Sequence, residues 1–172
     1  SPTGVPCAVT PVSQSCPAVL DGQIFSGYQL NASFIAQLDR PVSIEFSSGG
    51  QMINFTIVDN GVPVFYIGTI QCSTSSIVLG QTIDVDVLIT QAPASQASFV
   101  GQTSYATMRF VGSTSNMQWA SQQPGYCASR ATYPGSSTGN VGMAADLMSG
   151  PAPSASPTGV PCAVTPVSQS CP

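Results

Sequence analysis

Lysine and histidine are absent from this chain, and only 6% of its residues are charged, against roughly 25% in average soluble proteins. Each lack removes a class of function. Without histidine there is no imidazole to act as general base or to ligate zinc. The three arginines are scattered and the net charge is −4. No basic cluster is therefore available to displace counterions from a nucleic acid, which excludes that partner. A basic membrane-surface face is missing for the same reason. Apolar runs fall well short of the ~20 residues of a spanning helix, so no membrane span is expected.

With so few charges, solubility must come from Ser, Thr, Gln and Asn, from attached glycans, or from burial in an assembly. Two acceptor sequons point to covalent glycans, Asn31-Ala32-Ser33 and Asn54-Phe55-Thr56. The chain opens on a Pro-rich segment, as expected of a mature, processed protein or of an excerpt. No motif asks for a cofactor.

What is present is a repeat. Ser1 to Pro17 reads SPTGVPCAVTPVSQSCP, and Ser156 to Pro172 reads the same without one change. Divergence over long times would have left substitutions. The copies begin at 1 and 156, a period of 155 residues, the size of one domain and far above solenoid periods. The expectation is a tandem array, one unit plus the opening of the next; the rival is a grafted copy that completes a fold. Either way the segment belongs at a junction. The chain divides into a first junction segment (1–17), a β-domain (18–148), a Pro/Ser/Ala linker (149–155) and the second junction segment (156–172).

Each repeat owns four cysteines, Cys7, Cys16, Cys72 and Cys127; Cys162 and Cys171 are the copies of the first two. An even number per unit, with no histidine and no C-x-x-C pair, indicates disulfides rather than zinc or thiol redox chemistry. An oxidising, extracellular or cell-surface location follows.

The interior reads as strands. Val42, Ile44 and Phe46 alternate with polar neighbours, as do Ile53, Phe55 and Ile57, with Asn54 and Thr56 opposite. Asp59-Asn60-Gly61 is a strong hairpin signal. The return strand is Val62 to Cys72, with Pro63 placing its start at a sheet edge. Ile83, Val85, Val87 and Ile89 face inward against outward Asp84 and Asp86. Ala106, Met108 and Phe110 oppose Thr107 and Arg109. Gly22 to Leu30 and Asn116 to Gln122 are further strands. Phe34 to Arg40 and Met143 to Met148 read as one or two helical turns at most. Seven or more short strands predict an all-β antiparallel sandwich.

Chemistry is sought and not found. Gly135-Ser136-Ser137-Thr138-Gly139 matches a nucleophile-elbow pattern but lies in a Gly/Ser loop of a chain without histidine. Asp84 and Asp86, two apart on one strand face, lack the further oxygens a calcium site needs and read as solvated charges. Trp119 with Tyr105, Tyr126 and Tyr133 offers a sugar-stacking surface, although a large aromatic more often serves a core. No enzyme is expected.

The strand pattern resembles an immunoglobulin-like β-sandwich, and the separation of Cys72 and Cys127 suits its inter-sheet bridge. The chain departs from that family in two places. Trp119 lies far beyond Cys72 rather than about a dozen residues after it, and Tyr126 directly precedes Cys127 instead of standing two before it. The layout, one β-domain plus a short extended junction, is similar to pilus and fibril subunits linked by a donated strand. The resemblance implies that Pro161, Cys162, Ala163, Val164, Pro166 and Val167 dock on the preceding domain as an added edge strand. Cys162 or Cys171 would then bond to that domain, or the two to each other. With no lysine, the Lys–Asn cross-links of some pilus domains are excluded, leaving disulfides as the staples. The expectation is a structural repeat of an extracellular filament or surface fibre, partnered head-to-tail by copies of itself. The alternative is an adhesin or carbohydrate-binding module carried on such repeats.

Overall fold

The computed structural model describes residues 7–59, 61–133 and 142–151. Eight strands follow one another: β1 (Ile24–Leu30), β2 (Ala36–Ser47), β3 (Met52–Asp59), β4 (Val62–Cys72), β5 (Thr82–Gln91), β6 (Thr103–Phe110), β7 (Asn116–Ser121) and β8 (Met143–Ser149). Every strand pairs antiparallel with its sequence neighbours, and β8 pairs with β1. The sheet therefore closes into an up-and-down barrel, which corrects the expected immunoglobulin-like sandwich.

The physical reason lies in what alternation encodes. It marks one buried face per strand and is silent on whether that face meets a second sheet or the inside of its own. The inward residues are those expected: Val42, Ile44, Phe46, Ile53, Phe55, Ile83, Val85, Val87, Ile89, Ala106, Met108 and Phe110 are all buried in one core. Closure depends on the two segments read as helical turns. Phe34 to Arg40 instead leads into β2, and Met143 to Met148 is the closing strand β8. Gly27 lets that seam form, because a Cβ there would fall on the Asp146 carbonyl oxygen.

Apolar residues inside and Glu45, Asp84, Asp86 and Arg109 outside reverse the patterning of a transmembrane barrel. Among the described residues, no helix is long and apolar enough to cross a membrane. The Asp59–Val62 pairing and the φ of +79° at Gly61 give the expected tight hairpin; Asn60 lies outside the described residues. Pro63 pairs only with β3, since β4 begins its pairing with β5 at Ile67. Its missing donor thus sits on a stretch with one open side.

The two ends of the barrel differ. A 3₁₀ turn, Ala18–Leu20, inserts Leu20 under one end beside buried Cys16. Gly50, at φ +84°, admits the Pro17 carbonyl, which would stand 2.9 Å from a Cβ. Above this plug Phe25 packs edge-on against Phe46 and Phe110, with ring centroids 6.0 and 5.8 Å apart. Each such fully buried ring contributes about 1.5–3 kcal/mol. The opposite end holds the start of β8 and the end of β7, and a kinked pair of 3₁₀ turns, Ala94–Phe99, stands at its rim.

Candidate functional site

The most elaborated surface lies where the first junction segment crosses the outside of the barrel. Cys7 is bonded to Cys127, in the loop after β7, and Cys16 to Cys72, at the end of β4. The Cys72–Cys127 bridge suggested by the resemblance is thereby corrected. Cys72 faces the barrel interior at the plugged end, while Cys127 belongs to a loop that leaves the other end.

Between its two staples the segment runs as a strap over β6, β5 and β4. The Ala8 and Val9 N–H groups both donate to the Cys127 carbonyl, at 2.9 and 3.2 Å. Val12 N–H donates to Asp86 Oδ2 at 3.0 Å. Gln14 exchanges two backbone hydrogen bonds with Cys72, at 3.0 and 2.8 Å. That bridge forms where β3, whose last pairing is Met52 with Thr69, no longer covers β4. The strap then lies off the wall, enclosing a cleft of about 600 Å³ lined among others by Ser13, Gln71 and Tyr105.

Arg130 is the clamp that holds the strap down. Its Nη1 stands 2.7 Å from Asp86 Oδ1, and its Nε is 3.8 Å from Asp84 Oδ2. It also donates to the carbonyls of Val85 (3.0 Å), Ala106 (3.2 Å) and Thr10 of the strap (3.0 Å), and lies over the Tyr105 ring. Arg130 and Asp86 are each only 12% exposed in their side chains. Asp86 is therefore not the solvated charge that the alternation had suggested, whereas Asp84, 45% exposed, stays largely in water. Asp86 accepts from the strap on one oxygen and pairs with the clamp on the other.

The loop that supplies Cys127 and Arg130 forms the rest of this outer layer. Ala131 N–H donates to the Tyr105 carbonyl, and Thr107 Oγ1 to the Ala131 carbonyl. Ala131 buries Ala120 and Ala144 on the outer face of β7 and β8, with Tyr133 and Leu30 alongside. Tyr133 donates to Asp146 Oδ1. Burial together with that carboxylate pushes the phenol's pKa well above its ordinary value.

Trp119 is fully buried, its ring edge-on to Phe55 at 5.2 Å. It therefore presents no face to a sugar. Asn31 stands on an exposed turn, its Oδ1 accepting from the N–H groups of Ser33 (2.8 Å) and Ile35 (3.1 Å). Asn54 points outward from β3 but is half-buried. The segment 135–139, the docking residues Pro161, Cys162, Ala163, Val164, Pro166 and Val167, and Cys171 lie outside the described residues. No group of three or more potential metal ligands occurs among the described residues. Arg130, the centre of the clamp, was missed by the sequence reading. Its only signal was that an almost charge-free chain places one of its three arginines three residues after a cysteine. Comparison with protein-family models, with curated proteins and with solved structures finds no match.

Proposed function

We propose that this chain is the structural repeat unit of an extracellular filament or cell-surface fibre, built head-to-tail from copies of the same barrel. The observation that carries this is the exact recurrence of a segment whose first copy is knit to the barrel by both of its cysteines. A linker would not need such knitting, and a segment so used would be expected to be repeated only where another barrel needs one.

The route of the chain supports a polar array. An even number of strands brings β8 out at the plugged end, where Gly150 N–H donates to Ile24 and Ser26 Oγ to Gly150. The strap begins beside Cys127, in the loop that leaves the other end. Each unit thus takes its chain in along the wall and releases it at the plug, so successive units share one direction. Cys7 and Cys16 already occupy Cys127 and Cys72, so Cys162 and Cys171 fit the equivalent cysteines of another barrel. The closed sheet offers no long free edge, so the strap is held by disulfides, one backbone bridge and the Asp86–Arg130 clamp rather than as a long added strand. Glycans at Asn31 and Asn54 suit such a fibre, with Asn31 the more open of the two. The carbohydrate-binding alternative has lost its main aromatic platform with the burial of Trp119.

Electron microscopy of native material under non-reducing conditions, with helical averaging, tests the proposal. Fibres with a regular axial repeat of one barrel, all pointing the same way, are expected. Dispersed monomers, or a gene carrying the seventeen-residue segment in a single copy, overturn it.

A further inference from the structure

We propose that the end of the barrel opposite the Leu20 plug is a binding site for one small, uncharged, largely apolar molecule. The site stands apart from the filament reading and does not depend on it. A cavity of about 370 Å³ opens there, walled by Phe55, Ile57, Tyr66, Ile89, Phe99 and Met143. Mouths of β-barrels are preferred places for such sites, and this volume lies near the small end of ligand pockets.

The asymmetry of the barrel explains why the space exists. At the plugged end Leu20 and the Cys16–Cys72 bridge complete the core beneath Phe25, Phe46 and Phe110. At the other end, among the described residues, no equivalent side chain descends from the rim. The Ala94–Phe99 turns stay at the margin with none of their residues buried. They are tied there by the Tyr66 hydroxyl, which donates to Gln96 Oε1, and by Phe99 lying against the Tyr66 ring at 6.4 Å.

Chemistry of the wall sets the ligand class. None of the described residues lining the cavity is charged, so an ionised molecule would lose its hydration without gaining a counter-charge. Ser104 on the wall already donates its hydroxyl to the Gln122 carbonyl at 2.7 Å, and the hydrocarbon of a bound molecule rests on Phe55 and Ile57. Beneath Phe55 lies Trp119, the sole tryptophan of the chain, so occupancy has an intrinsic optical reporter.

The test uses the full oxidised chain and N-phenyl-1-naphthylamine, an uncharged aromatic probe with a single N–H. Saturable one-site binding is expected, with the probe brightening and Trp119 emission quenched in step. Its 8-sulfonated form, which carries a charge, should bind about tenfold more weakly. Filling the space with Ile57→Phe and Met143→Phe together should abolish binding of the uncharged probe, with circular dichroism confirming the fold. Unsaturable uptake by the native chain, or equal affinity for the charged and uncharged probes, overturns the proposal even if the variant fails to fold. Binding that survives the filled cavity also overturns it.

Discussion

At the scale of single residues, the Asp86–Arg130 pair decides how firmly the strap is held. Both side chains are largely buried, at 12% exposure each, and water cannot replace the lost partner cheaply. Removing one member leaves an uncompensated charge, which in comparable settings costs about 3–5 kcal/mol. Replacing both by apolar groups of similar volume is often close to neutral. The expected outcome is that Asp86→Ala lowers unfolding stability by several kcal/mol, whereas Asp86→Leu with Arg130→Met recovers most of it. Urea denaturation of the oxidised chain, read through Trp119, measures both. An Asp86→Ala variant as stable as the native chain would show that the pair holds nothing. The alternation of β5 placed Asp84 and Asp86 correctly on its outer face. It carried no information on what covers that face, because a partner 44 positions along the chain leaves no mark on local periodicity.

At the scale of elements, the strands were legible wherever a branched or aromatic residue alternated with a polar one, as in β3, β5 and β6. β8 was not. Its Met143-Ala144-Ala145-Asp146-Leu147 run is buried on both faces at its start, because the loop at Ala131 covers the outer side. Burial on both faces erases the two-residue period, and the alanines favour a helical reading. Missing that strand turned a closed sheet into an open one and the barrel into a sandwich. The seam itself rests on Gly27, opposite Leu147. Gly27→Val puts branched carbons where the Asp146 carbonyl already stands and should separate β1 from β8. Amide exchange is expected to accelerate at Ser26, Tyr28, Asp146 and Met148, the pairs that bond across the seam, while the β4–β5 ladder keeps its protection. Uniform exchange across all strands would mean that the seam does not open independently.

At the scale of the whole molecule, the repeated segment ties fold to assembly. The cysteine count predicted disulfides, and the recurrence predicted a junction. The pairing itself could not be read, since four cysteines permit three connectivities. Geometry gives nested loops, with sequence separations of 120 and 56, each bridge of a kind that contributes about 2–5 kcal/mol. A chain beginning at Ala18 loses both partners, leaving Cys72 and Cys127 facing a vacant cleft. It still carries an identical strap at its other end. The side chains that bind the strap, Asp86 and Arg130, are unchanged, so the second copy has the same contacts to make. Refolded at high concentration under oxidising conditions, the shortened chain should form a ladder of disulfide-linked oligomers. Peptide mapping should place Cys162 on Cys127 and Cys171 on Cys72. Adding excess synthetic Ser1–Pro17 peptide should collapse the ladder to monomers by occupying the same cleft. Monomers with Cys162 bonded to Cys171, unaffected by the peptide, would show that the second copy closes on itself. The array would then be joined through its backbone alone.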